Sequence, residues 1–267
     1  MEEHIKLSAK QARKMIIELS NRAHIGHIGS ALSTVDILVA LYSNVIKIDD
    51  ISSIDRDRFI LSNGHTSLAL YVVLNLLGVI TDEQLNSFCI DGSCLGVHPD
   101  AVINGIDFSS GSLGQGLSFG AGAALAAQLQ HSSRRVFVLL SDAECNEGAV
   151  WEAVMFAAHH QLSNLTAIVD LNGQQAMGYT RNVMDLSPMD EKWKSFNWDV
   201  HNVDGNDIEQ LSKVLNSLDT TKGQPHVLVA NTIFGKGVSF MEKELKWHYM
   251  PLSPYEYQQS LIEIDRL

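Results

Sequence analysis

Proline, cysteine and basic residues are all scarce in this sequence. Five prolines in 267 residues leave no Pro-rich linker or tail. Only three cysteines occur, Cys89, Cys94 and Cys145. So few, and an odd number, exclude a disulfide-dense secreted scaffold and point to reduced thiols. Lysine and arginine total 19 against 31 aspartates and glutamates, a net charge of −12. Nucleic acid needs a basic face and is excluded as a main partner. The acidic residues read as a solvated surface. An anionic ligand would then need local help from histidines, backbone N–H groups or a metal ion. Long apolar runs are missing too: VFVLL falls far short of the roughly 20 residues that cross a bilayer. The opening MEEHIKLSAK is charged and lacks the apolar core of a signal peptide. A cytoplasmic protein with no membrane contact is therefore expected.

What the chain does have is 45% hydrophobic residues in a regular rhythm, enough for a full core. Short apolar runs at residues 58–61, 136–140, 165–171, 199–203 and 226–231 read as strands. Helical spacing recurs at residues 6–20, 33–42, 68–77, 117–129, 150–159, 188–193 and 207–218, with Thr34 and Asp36 near the start of the second. Thr81 with Gln84, and Ser253 with Glu256, make capping boxes. Ser187-Pro188 and Ser253-Pro254 each place a capping serine before a proline at the first helical position. Residues 88–107 look irregular. Apolar runs alternating with helices predict an α/β fold: one parallel sheet with helices on both faces. No repeat or linker divides the chain, so residues 1–267 are read as one domain.

In a parallel sheet, ligands gather at the carboxyl ends of the strands. The string LLSDAECNEG ends one predicted strand with Asp142 between two small residues, and VDLNGQQAMG ends the next with Asn172. One strand–helix–strand unit separates them, so a carboxylate and a carboxamide should stand side by side. Two oxygen donors and a loop carbonyl would supply half the shell of a hard cation, leaving places for phosphate and water. The bland reading has Asp142 capping the helix that begins near Glu147 and Asn172 in a turn before Gly173. Both readings put these residues in the same place.

Residues 141–178 resemble the thiamine-diphosphate signature of the transketolase family, which opens with Gly-Asp-Gly and closes with an asparagine about thirty residues on. Five further strings agree in family order: AHIGHIGSALSTVDILVALY, DRFILSNGHTSLALY, GSLGQGLSFGAG, NWDVHNVDGND and NTIFGKGVSFME. The resemblance spans about residues 7–257. It covers only the first of the family's three domains, so the chain is similar to the N-terminal subunit of a split transketolase. The partner would carry the pyrimidine-binding and C-terminal domains, including the glutamate that protonates the aminopyrimidine. An α2β2 heterotetramer is implied, with the cofactor between the subunits.

By this resemblance, Asp142 and Asn172 bind magnesium (or calcium or manganese) through their side chains and Gln174 through its carbonyl. Ala143 offers its N–H to the diphosphate. His65 contacts diphosphate or substrate, and Gly111, Ser112 and Leu113 line the aminopyrimidine. Glu147 sits at the subunit contact. His24, His98 and His248 face the donor sugar and the thiazolium. The reaction implied is transfer of a two-carbon ketol unit from a ketose phosphate to an aldose, with histidines moving protons near neutral pH.

The sequence also departs from the family pattern. Ser141 and Ala143 replace both glycines of Gly-Asp-Gly, and an alanine forced to positive φ would lose about 1 kcal/mol or more. Asn206 stands where histidine is frequent. His27 at a usually small position, and Tyr249 where glycine is common, would narrow the pocket and suit a specialised pathway. Two other readings compete: the α subunit of a 2-oxo-acid dehydrogenase or acyl-transferring thiamine enzyme, and a non-catalytic scaffold. His24-x-x-His27 lacks the second pair of a zinc site. His159 and His160 read as surface, and Trp151, Met155 and Phe156 as core or subunit contact.

Overall fold

The computed structural model describes residues 7–48 and 50–267. In chain order the helices are α1 (Ala9–Ala23), α2 (Ile28–Asn44), α3 (Ser67–Leu76), α4 (Asp82–Asn86), α5 (Gly116–Leu129), α6 (Gly148–His159), α7 (Thr180–Val183), α8 (Met189–Ser195), α9 (Ile208–Asn216) and α10 (Pro254–Ile264). The strands are β1 (Arg58–Leu61), β2 (Val136–Ser141), β3 (Leu165–Leu171), β4 (Gln174–Gln175), β5 (Gly178–Tyr179), β6 (Asp199–Asp204) and β7 (His226–Asn231). Five of them make a sheet in the order β1-β2-β3-β7-β6, every neighbouring pair parallel. β4 and β5 form a small antiparallel hairpin after β3.

Alternate side chains of a buried strand enter opposite layers. Phe137 and Leu139 of β2 join the core beneath α1, α2, α3 and α9. Val136, Val138 and Leu140 join the one beneath α5, α6 and α8. Helices thus cover both faces, as the rhythm of apolar runs predicts. Truncating a residue such as Leu139 to alanine would cost about 2–5 kcal/mol, because the cavity left behind collapses only in part.

Local signals explain several helix ends. Thr81 and Ser253 close capping boxes with Gln84 and Glu256. Three expectations need correction. The predicted first helix begins at Lys6, which lies outside the described residues; α1 itself is capped by Ser8. α2 starts at Ile28, five residues earlier than predicted, because residues 28–43 are all buried and no polar face marks its beginning. Asp36 lies inside it, paired with Arg13, and does not mark its start. Pro188 is the N-cap of α8 in extended conformation, so Ser187 does not cap it. Among the described residues, no helix is long and apolar enough to cross a membrane.

The carboxyl ends of β1, β2, β3 and β7 release their loops on one side of the sheet. Those loops hold Asn63 and His65, Asp142 and Ala143, Asn172 and Gln174, and Thr232 respectively.

Candidate active site

β2 and β3 run in register up to the Ser141–Asp170 pair, so the residues that follow meet above the sheet. Asp142 Oδ1 accepts from the N–H of Ala143 at 2.8 Å, and Oδ2 from the N–H of Gly173 at 2.9 Å. Asn172 Oδ1 accepts from the Gln174 N–H, and its Nδ2 donates to Asp170 Oδ2 at 3.0 Å. Asp170 also accepts from Ser33 and Thr232 hydroxyls. The cap and turn geometry of the bland reading is therefore present. It leaves one thing unaccounted for: Asp142 and Asp170 are both buried, and among the described residues neither forms an ion pair with a cation. Burial, and next the charge of Asp170, push the Asp142 carboxyl up to about 7. Burial raises Asp170 as well. Two desolvated carboxyl groups and a carboxamide make an oxygen-rich environment that a hard divalent cation would neutralise. Asp142 lies at φ −61°, and Ala143 is not among the residues with positive φ. Alanine and serine therefore fit this turn without the strain that their glycine counterparts would avoid.

Beside this group is a cavity of about 250 Å³ lined by His27, His65, His98 and His248 together with Asn63, Gly111, Leu113, Ala143, Asn172 and Gln174. The His27 and His65 ring centroids are 5.3 Å apart, and His248 lies 6.1 and 6.3 Å from them. Burial holds His65 down to about 3 and His248 to about 4, with smaller contributions from neighbouring imidazoles. Burial lowers His27 in the same way. At neutral pH these three rings are uncharged, and each presents one N–H and one lone pair. The cavity wall is unusually short of internal partners. Both polar side-chain atoms of Asn63 and of Gln174, both ring nitrogens of His248 and His27 Nδ1 are buried with no hydrogen bond. Orphaned polar atoms at this density call for a polar ligand.

The structure redistributes some predicted site residues. His24 is exposed at the left-handed C-cap of α1 and does not line the cavity. His-Ile-Gly occurs twice in AHIGHIG, and the second copy brings His27 inward at the start of α2. Both glycines of that string are packing requirements. A Cβ on Gly26 would come within 2.6 Å of the Tyr249 carbonyl, and one on Gly29 within 2.1 Å of the Phe234 ring. Ser112 and Glu147 are exposed and lie outside the cavity lining, Glu147 packing its Cβ near Gly114. Tyr249 is exposed and donates its hydroxyl to the Ala176 carbonyl, strapping one loop beside the cavity to another. Asn206 accepts from Ile233 and donates to Asp36, a structural link away from the cavity. Met155 and Phe156 are exposed on α6, not core. Trp151 packs on Trp193 and Phe196 and donates to the Cys145 carbonyl. All three cysteines are free.

Asn63, Asp170 and Glu144 escape sequence reasoning. Glu144 is fully buried, accepts from Ser62 and from the N–H groups of Gly114 (2.6 Å) and Ser141 (3.3 Å), and ties the 111–114 loop to two strand ends. Burial raises its carboxyl above the usual range. Only the acidic spacing in SDAECNEG hints at it.

Residues 5–262 match the family model described as transketolase, thiamine diphosphate binding domain. An apulose-4-phosphate transketolase subunit of Phocaeicola vulgatus is 38% identical over 98% of this chain and 94% of its own length. The 6-deoxy-6-sulfo-D-fructose transketolase subunit SqwG of Clostridium sp. is 36% identical over 97% of this chain and 95% of its own. The crystal structure of Campylobacter jejuni transketolase superposes with a TM-score of 0.88 at 25% identity, covering 99% of this chain but 43% of that one. The chain thus spans less than half of that transketolase and nearly the whole length of the two separate subunits. It belongs to the transketolase family, as the thiamine-diphosphate-binding N-terminal part.

Proposed function

We propose that this chain, as a single domain over residues 1–267, is the diphosphate-binding subunit of a two-component transketolase moving a two-carbon ketol unit between specialised sugars. The observation that carries this reading is the cavity itself: neutral histidines and orphaned polar atoms standing beside two buried carboxyl groups that, among the described residues, have no cationic side chain as partner. Asp142, Asn172 and the Gln174 carbonyl would hold magnesium. Ala143 N–H and His65 would meet the diphosphate, and Gly111, Ser112 and Leu113 the aminopyrimidine. Thiamine diphosphate, when bound, supplies the electron sink of the reaction. His27, His98 and His248 would orient the sugar. Breaking its carbon–carbon bond requires a proton to leave a hydroxyl, and a neutral imidazole nitrogen can accept it. An anionic ligand beside these rings would raise their pKa values toward the range that suits a base near neutral pH.

A partner completes the site in this reading. A cavity of about 250 Å³ is smaller than the roughly 300–1,000 Å³ that encloses a ligand of cofactor size. Phe119, Met155 and Phe156 stay exposed on α5 and α6, apolar surface suited to an interface. Glu147, exposed at the start of α6, would face the subunit bearing the pyrimidine domain, in an α2β2 assembly. Apulose 4-phosphate and 6-deoxy-6-sulfo-D-fructose, named for the relatives' enzymes, set the expected substrate class: anionic, unusual sugars. The family match is to transketolase, which favours it over the 2-oxo-acid dehydrogenase and scaffold readings.

The test is coexpression with a subunit carrying the pyrimidine-binding domain. Calorimetry should show thiamine diphosphate binding with Mg²⁺ by the pair, and ketol transfer should require both polypeptides. Asp142→Ala should abolish both signals. Ketol transfer by this chain alone, or cofactor binding indifferent to Asp142→Ala, would overturn the proposal.

A further inference from the structure

At the opposite, amino end of the sheet a second set of donor atoms converges. Asp199 opens β6 and His226 opens β7, and the two are direct partners across the parallel ladder. His201 lies two residues along β6 and so faces the same side as Asp199. Asp199 Oδ2 is 3.2 Å from His226 Nδ1 and 3.3 Å from His201 Nε2. One donor from each residue lies within 4.8 Å of the other two. His226 Nδ1 is within hydrogen-bond distance of Asp199 Oδ2, whereas His201 Nε2 is buried and makes no hydrogen bond. The His226 side chain is 1% exposed, while those of Asp199 and His201 are 35% and 29% exposed. The group is anchored at its floor and reachable from solvent.

The two separations from Asp199 fit a tetrahedral shell, and the two imidazole donors lie within 4.8 Å of each other. An ion with bonds of about 2.0–2.1 Å holds its ligands about 3.3–3.4 Å apart. Two imidazoles with one carboxylate suit zinc and its late first-row neighbours, whereas magnesium prefers oxygen donors alone. We propose that Asp199, His201 and His226 form a second cation site that takes a zinc-class divalent ion, its fourth position filled by water. The site is separate from the cavity, about 16 Å away along the strands. Its effect is mechanical: it clips β6, the edge strand, to β7.

The full chain is titrated with Co²⁺ in excess Mg²⁺, followed by visible absorption and then displaced with Zn²⁺. One equivalent of four-coordinate cobalt is expected, released by zinc. His201→Ala and Asp199→Ala, both at partly exposed positions, should each weaken cobalt binding about a hundredfold or more. His98→Ala and Asp142→Ala should leave it unchanged. Zinc should raise the Tm of the unmodified chain but not of His201→Ala. A four-coordinate spectrum that survives His201→Ala and Asp199→Ala overturns the proposal. So does one lost in His98→Ala or Asp142→Ala, which would place the ion in the cavity. The absence of such a spectrum, or equal zinc shifts in the unmodified chain and His201→Ala, would overturn it as well.

Discussion

Asp36, in the middle of α2, and Asp142, at the end of β2, are almost equally withdrawn from solvent, at 4% and 3% exposed. Their surroundings differ. Asp36 receives the Arg13 guanidinium in a fork at 3.0 and 2.6 Å and the Asn206 amide at 2.9 Å. Asp57 is similar, held by Arg135 at 2.6 Å and by two backbone N–H groups. Asp142 has backbone donors but a second carboxyl group, Asp170, for a neighbour. In a low-dielectric interior a charge without a counter-charge is costly, so burial alone does not distinguish scaffold from site. The presence or absence of an internal counter-ion does. Among the described residues the scaffold carboxylates find a cationic partner within the chain, and the site carboxylates do not.

Breaking the scaffold pair should give the largest effect. Asp36→Ala leaves Arg13 buried and unpaired and should cost about 3–5 kcal/mol in urea denaturation. Asp142→Ala should do the reverse in the metal-free chain, leaving stability within about 1 kcal/mol of wild type or raising it. The same variant should lose the stabilisation given by Mg²⁺ and thiamine diphosphate, about 2.7 kcal/mol when ligand is a hundredfold above Kd. A large loss of metal-free stability in Asp142→Ala would break the comparison.

Tyr249→Gly should sharpen it at the cavity's edge. Removing the strap to Ala176 opens the pocket without touching a carboxylate. Preference among acceptor sugars, read as kcat/KM ratios in the assembled pair, should relax about tenfold, or about 1.4 kcal/mol. The smallest effect belongs to His248→Gln. The folded chain holds this ring near 4 while the unfolded chain protonates it at about 6.5. Between those values the unfolded state binds more protons, so wild-type stability falls as pH drops. Relative to His248→Gln, wild type should lose about 1 kcal/mol between pH 7.5 and 5.5. A constant difference across that range would remove the neutral-imidazole description.

The legible parts of this molecule are those with local causes. Apolar runs mark all five strands of the main sheet, and side-chain caps mark α4 and α10. α9 runs from Ile208 with Asp207 as its cap, close to its predicted start. The start of α2 is hidden because a helix buried on all sides has no polar face to announce it. The two-residue β4 and β5 are too short to leave a periodic signal. In the site, Asp142 and Asn172 stand out because each follows an apolar run. Sequence reasoning takes His27 for a bulky intruder and His24 for the cavity histidine, since two identical His-Ile-Gly strings follow one another directly. Asn63, Asp170 and Glu144 depend on contacts across long stretches of chain. Glu144, for example, meets Ser62 82 residues away, and no local pattern encodes that.

Glu144 also bears on how the coenzyme is loaded. By joining Ser62, Ser141 and Gly114 it ties together the two walls that, in the proposed reading, would back the pyrophosphate and the aminopyrimidine. Neither wall can swing aside without uncovering a deeply desolvated carboxyl group. In the proposed reading, traffic would therefore pass through the unwalled side, where the mating polypeptide would dock. Loading, in that reading, would become a matter of sequence in time: the coenzyme would board before the two halves seal, and its release would wait for them to part.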